Sequence, residues 1–378
     1  MVNKKEPDFR EAVNYHHGKF PPNSLDASQL LLPLSNAVAA LTRYDVMLRQ
    51  LRESEILLAP LRRQEAVVSS RMEGTVTTLE EVLSLEADQP DDDQGRDKNY
   101  RHEALEVLGY SRAMRTTQMK MEEGHRITEW LIRLAHQRLL WFGRGHDLNP
   151  GAYKTEQNYL ADKLKKKILF VPIAPELLKE HMERLVTYLD SAPDHPLIKA
   201  AVSHIEFEAL HPFNDGNGRV GRMLITLYLW QAEVISAPHF YVSEYFEENR
   251  DAYIDAMRRV SEHDEWTEWV VFFLQGLAEQ AATKCSQITR IQELHAEMQT
   301  VFRDTLTSKD YLSAVNFVFE QPVFRSSRFV AATGLPKPTA TRFLKLLREA
   351  GIIRIVEQGS GRRATLYAFD RLLDAVRV

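Results

Sequence analysis

Cysteine is almost absent: Cys285 is the one thiol in 378 residues. No disulfide can form within the chain, and the composition suits a reducing cytosol. Long apolar runs are also missing, since no stretch approaches the roughly 18 consecutive apolar residues that a membrane-spanning helix needs. The opening Met-Val-Asn-Lys-Lys-Glu-Pro-Asp leads into no apolar signal core, so a cytoplasmic protein with no membrane partner is expected. Glycine and proline, 16 of each, are too sparse for a low-complexity tract, and no internal repeat is visible. Neither Gly-x-x-x-x-Gly-Lys-Ser/Thr nor a strand–Gly-x-Gly-x-x-Gly–helix unit occurs, which excludes the P-loop and the dinucleotide fold. His204 and His239 stand in no cluster with metal-ligand spacing and read as structural histidines.

What is present is concentrated between His211 and Arg222, in the run His-Pro-Phe-Asn-Asp-Gly-Asn-Gly-Arg-Val-Gly-Arg. It lies directly before the apolar run Met223 to Trp230. Gly216 and Gly218 let the backbone turn its N–H groups toward an anion, and a helix opening near Gly218 adds its positive dipole end. Arg219 and Arg222, three apart, share a helix face and can each fork onto phosphate oxygens. Asp215 offers a hard oxygen to a magnesium ion, which commonly takes one or two carboxylates plus phosphates. His211 is the one group of the segment that takes up a proton near neutral pH. Base, metal ligand and two arginines in order around the glycines point to a nucleoside triphosphate site.

The remaining pattern is mainly α. Asp26 with Gln29 reads as a capping box opening a helix through Leu30, Leu34, Val38, Leu41 and Leu48. A second helix runs from Ser54 to Arg71. The acid-rich stretch from Glu86 to Lys98, with Pro90 and Gly95, reads as a linker. Further helices are predicted at His102–Met121, Ile127–Phe142, Pro175–Asp190, Leu197–Leu210, Gly218–Trp230, Asn249–Ser261 and Glu265–Val301. The one strand signal of the body is Lys166 to Pro172, so a helical bundle with a single short hairpin is expected. Domain boundaries are placed at 1–98, 99–302 and 303–378.

Charge separates the tail from the body. From Thr307 to Val378 there are 12 Lys/Arg against 6 Asp/Glu, an excess of +6 on a body of −11. Helices at Leu312–Phe319, at Ser326–Ala332 and from Pro338 to Ala350 precede the runs Ile352–Val356 and Thr365–Phe369, which flank a Gly-tipped loop, 358–363. This order resembles a winged helix-turn-helix. Thr339, Thr341, Arg342 and Lys345 would then face a major groove and Arg362 and Arg363 would sit near phosphates, giving DNA contact through 337–363. The same module could serve instead for target docking or for a homodimer.

The segment from His211 matches the Fic family motif, His-Pro-Phe-x-Asp/Glu-Gly-Asn-Gly-Arg-x-x-Arg, at every fixed position. Pro196–His204 with Phe207-Glu208 resembles the helix that leads into the motif, and 150–172 resembles the family's flap. The resemblance implies a helical Fic core that transfers AMP from ATP, with Mg2+, to a Ser, Thr or Tyr hydroxyl of a target protein docked as a strand on the flap near 157–172. It gives His211 the role of base and Asp215 that of magnesium ligand. Phe213, Asn214, Gly216, Asn217, Gly218, Arg219, Arg222 and, after the motif, Asn249 become nucleotide-binding residues. Gly218 stands where the phosphate-transferring Doc toxins carry lysine, which favours AMP transfer. Lys154 stands where arginine is common. Ser69-Ser-Arg-Met-Glu73-Gly74 resembles the family's inhibitory Ser/Thr-x-x-x-Glu-Gly/Asn, which implies that Glu73 pairs with Arg222 and competes with the γ-phosphate. A DNA-binding regulator with a nucleotide-sensing core, and an enzyme that also removes AMP, are the alternatives.

Overall fold

The helical periodicity is realised as fifteen helices and six short strands among the described residues. The computed structural model describes residues 9–10, 12–51, 54–88, 102–143, 145–162, 167–361 and 363–377. Strand β1 (Val13–Asn14) precedes α1 (Ala27–Gln50), α2 (Ser54–Arg71), α3 (Leu79–Asp88) and α4 (His102–Glu122). Asp26 caps α1 by accepting the Ser28 N–H at 2.9 Å. The capping box is altered, because Gln29 donates to the Asp26 carboxylate (2.8 Å) while the Asp26 N–H donates to Thr267. Helix α3 was not expected. A capping box does open it, with the Thr78 N–H on Glu81 at 2.9 Å and the Glu81 N–H on the Thr78 hydroxyl at 3.2 Å. Its residues 86–88 take the first part of the expected linker, and 89–98 lie outside the described residues.

Next come α5 (Glu129–Leu139), β2 (Leu160–Asp162), β3 (Lys167–Val171), α6 (Pro175–Ser191), α7 (Pro196–Leu210), α8 (Asn217–Gln231), α9 (Ser243–Glu248) and α10 (Arg250–His263). The predicted helix from Asn249 is thus preceded by a second short one. The 41-residue α11 (Trp266–Leu306) leads into α12 (Tyr311–Glu320), β4 (Val323–Arg325), α13 (Ser326–Ala332), α14 (Lys337–Glu349), β5 (Arg354–Glu357), β6 (Leu366–Ala368) and α15 (Asp370–Val376).

Two compact units emerge: Met1–Asp45 with Gly109–Ala282, and Val46–Leu108 with Thr283–Val378. The divisions fall within α1, α4 and α11, and the expected boundary at 302/303 also falls inside α11. In the first unit α7 is buried on nearly every face, packed against α6 and α8, with α5 touching both. Its buried Glu206 is partnered there by Tyr15 and His16, and its buried His204 by Tyr253. The expected hairpin is present as β2 antiparallel to β3, but a third strand joins it: β1 runs parallel to β3, Val13 opposite Phe170. β1 is secured from behind, where Tyr15 donates to Glu206 of α7 (2.7 Å) and His16 contacts the same carboxylate (2.8 Å).

The second unit joins the tail to α2 and α3. α12 and α15 pack on α2, and α3 packs on β4. The tail sheet is antiparallel in the order β4-β6-β5, so β4 and α15 add to the three helices and two strands read from sequence. The buried Arg325 guanidinium bridges Asp88 and Glu357, both at 2.6 Å, and Arg354 reaches Glu80 at 2.8 Å.

Candidate active site

Helix α7 ends because His211 adopts the left-handed conformation (φ 46°, ψ 60°) and its N–H closes the last turn on Phe207 O at 3.1 Å. Pro212 follows and has no N–H with which to continue the helix. The chain turns back through Asn214 and Asp215, and Gly216 (φ +80°) starts α8 at Asn217, one residue before the expected opening. Gly216 is required twice: its φ suits only glycine well, and an added Cβ would come 3.1 Å from Leu139. No side chain caps α8, so its first N–H groups face the loop as an anion site does.

The Asn217 amide is engaged within the loop. Its oxygen accepts the Phe213 N–H and its nitrogen donates to Phe213 O, both at 2.8 Å. The Phe213 side chain is fully buried and stacks on His136, centroids 3.7 Å apart and rings 3° from parallel. Asn217 and Phe213 therefore shape the loop, whereas Asn214 is exposed and Asp215 partly so. The Asp215 carboxylate accepts the Gly216 N–H at 2.7 Å and stands 3.8 Å from the Arg219 guanidinium. Arg219 and Arg222 are buried along α8, and Gly218 adds no side chain at the second position of its first turn. His211 lies half-buried, its Nδ1 3.4 Å from Glu208 O. A carbonyl only accepts, so Nδ1 carries the proton in this contact and Nε2 is the basic nitrogen.

Three residues that the sequence did not assign to the site hold this loop from beneath. His136 of α5 accepts the Gly151 N–H on Nδ1 (2.8 Å), so its Nε2–H donates to Asp215 O (2.9 Å). Burial, the largest influence, pushes its pKa down to about 4. Asn158 donates to both His211 O (3.0 Å) and Phe213 O (3.1 Å). Lys154, noted above only as a departure, donates to Leu210 O (3.0 Å) and Asn158 (2.8 Å), and burial lowers its pKa to about 7. No local pattern marks these residues, because each acts on a backbone more than 50 residues away.

His204 is buried among Phe246, Tyr253 and Trp269, its Nε2 2.8 Å from the Tyr253 hydroxyl. Burial first and the Arg222 charge second push its pKa down to about 3, so it stays neutral and structural. Asn249 joins α9 to α10 and donates to Tyr245 O at 3.0 Å. Ser69, Glu73 and Gly74 belong to the second unit, at the end of α2. Ser69 is buried, Glu73 is half-buried, and Gly74 is left-handed (φ +87°), with its N–H on Arg71 O at 2.8 Å. This is the C-cap expected of it.

The Fic/DOC family matches residues 126–229, and the N-terminal region of the same family matches 31–118, together more than half of the chain. The chain belongs to the Fic/DOC family. It is 35% identical over 131 residues to the protein adenylyltransferase Fic of Nematostella vectensis, which covers 34% of this chain and 29% of that one. It is 28% identical over 209 residues to a probable protein adenylyltransferase of Aquifex aeolicus (strain VF5), covering 55% and 58%. The match thus spans under a third of one relative and under three-fifths of the other. A crystal structure of a Fic family protein from Desulfovibrio desulfuricans G20 shares the fold, with a TM-score of 0.58 at 21% identity over 92% of this chain and 98% of that one. Among the described residues of this Fic protein, no helix is long and apolar enough to cross a membrane.

Proposed function

We propose that the first unit transfers AMP from ATP to a hydroxyl of a protein target. One observation carries this reading: the left-handed turn at His211 sets an imidazole at the end of α7, beside the uncapped start of α8 with its two buried arginines. A base is thereby held next to a phosphate cradle, which is what in-line transfer to a hydroxyl needs. The naming of both curated relatives as adenylyltransferases supports it.

His211 Nε2 takes the proton of the target hydroxyl. The oxygen bonds to the α-phosphorus, the bond from that phosphorus to the bridging oxygen of the β-phosphate breaks, and pyrophosphate leaves. The N–H groups of the first turn of α8 stabilise the developing charge, while Arg219 and Arg222 hold the β- and γ-phosphates. Magnesium fits this site, because the Asp215 carboxylate is partly exposed at the edge of the loop and a single carboxylate suffices alongside phosphates. When bound, the ion neutralises phosphate charge, and Asp215 is the residue that holds it. The target strand is left the outer edge of β2 or the Lys167–Leu169 stretch of β3, since β1 takes the Phe170–Val171 end. Restraint by Glu73 acting against Arg222 belongs to the same proposal: two anions cannot share one guanidinium without strong repulsion.

The test is a parallel incubation with α-³²P-ATP and γ-³²P-ATP. Label on protein from the α position alone, lost in His211→Ala, is expected. Label from the γ position would instead assign phosphate transfer.

A further inference from the structure

The tail's excess positive charge is not spread evenly. Arg325 and Arg363 are paired with Asp88 and Glu357, Arg354 with Glu80 and Asp370, Arg371 with Glu297, and Arg377 with Glu80 and Asp374. These cations help to close the second unit. Arg363, expected near phosphates, is therefore committed to two carboxylates at 2.7 and 2.8 Å, and Arg362 lies outside the described residues.

Helix α14 is different. Among the described residues Lys337 and Arg342 have no acidic partner. Lys345 and Arg348 meet only the exposed Glu349, at 3.9 and 3.8 Å. Contacts that long on an exposed surface hold little energy. Lys337, Thr341, Lys345 and Arg348 recur at i, i+4, i+8 and i+11, so they form one stripe about 17 Å long. Ala340, Phe343, Leu344 and Leu347 of α14 are buried, and Leu344 lies at the foot of the stripe, so the stripe borders the buried face. Alongside runs a groove of about 610 Å³ that the stripe shares with Ser326 and Ser327 of α13, and no acidic residue lines it.

We infer that this α13–α14 face is a docking surface for duplex DNA, held through its phosphates by Lys337, Lys345 and Arg348, with Arg342 at the rim. Charge complementarity commits the surface to a polyanion, and shape selects the duplex. A helix about 10–12 Å across fits the roughly 12 Å major groove. The hydroxyls of Ser326 and Ser327 can donate to the flanking phosphates, while that of Thr341 is taken by Lys337 O at 2.9 Å. The wing is excluded, because phosphates there would have to displace Asp88 and Glu357 from Arg363.

The experiment uses the full chain and a fluorescein-labelled 20-base-pair duplex of arbitrary sequence, read by anisotropy between 50 and 200 mM salt. With four cations engaged, log Kobs should fall with log[salt] at a slope of about −3.6, a loss on the order of 10²-fold across that range. Lys345→Gln and Lys337→Gln should each reduce the slope by about 1. Arg363→Gln should leave it unchanged. The inference is overturned by no anisotropy change at 50 mM salt, by an Arg363→Gln effect as large as that of Lys345→Gln, or by equal competition from an acidic peptide of matched charge. That last outcome would assign the face to a protein partner.

Discussion

Acid should lower the stability of the first unit through His136, whose pKa is lower in the folded chain than in the unfolded one. Its imidazole is fully buried against Phe213 and satisfies two backbone groups, accepting from Gly151 and donating to Asp215 O. Only the neutral ring can do both, because a protonated Nδ1 no longer accepts. Burial holds the folded pKa at about 4, against about 6.5 in an unfolded chain. A depressed pKa means the contribution is complete above pH 6.5 and is lost as pH falls toward 4. By linkage the loss between pH 7.5 and 5 is about 2 kcal/mol. His204, lowered to about 3, adds acid sensitivity of the same sign, so the two must be separated by a variant. In His136→Gln the titrating group is gone. At pH 7.5 the variant should be less stable by about 2–4 kcal/mol, for two hydrogen bonds and a stacked pair. At pH 5 that gap should narrow by about 2 kcal/mol. All 5 tryptophans, Trp130, Trp141, Trp230, Trp266 and Trp269, lie in the first unit, so urea unfolding followed by their fluorescence reports on that unit. A gap of equal size at both pH values would refute the argument.

Glu73→Gly is expected to raise label transfer from α-³²P-ATP, and the gain should vanish in the double variant with His211→Ala; a folded Glu73→Gly protein no more active than its parent would end the inhibitory reading. Asp215→Ala should weaken binding of magnesium–ATP far more than of metal-free ATP, measured by calorimetry with and without chelator, whereas equal losses would make Asp215 a structural residue. A fragment of residues 307–378 should fail to fold cooperatively by circular dichroism, since α12 and α15 lose α2, and β4 and Arg325 lose α3 and Asp88. A sharp thermal transition in that fragment would show the tail to be self-sufficient.

The sequence by itself displayed the candidate site, because its elements are local. Twelve contiguous residues hold the imidazole, the carboxylate, the glycines and both arginines, and a helix start needs no distant partner to be recognised. Most of the helices were legible for the same reason, as their apolar spacing repeats within each segment, whereas α3, α9 and α15 were not. Thr78 and Glu81 carry the capping-box spacing that opens α3, and only the last three residues of that helix fall in the acidic stretch expected to be a linker. Tertiary structure alone decided what supports the loop. His136, Lys154 and Asn158 act on carbonyls 79, 56 and 53 residues away, and a carbonyl carries no side-chain identity for a sequence to display. It also decided the fate of the tail. The +6 excess was visible as a sum, but Arg325 and Arg363 find Asp88 across 237 and 275 residues. Ion pairing depends on distance in space, so only the fold could show which cations are neutralised and which, on α14, still face outward.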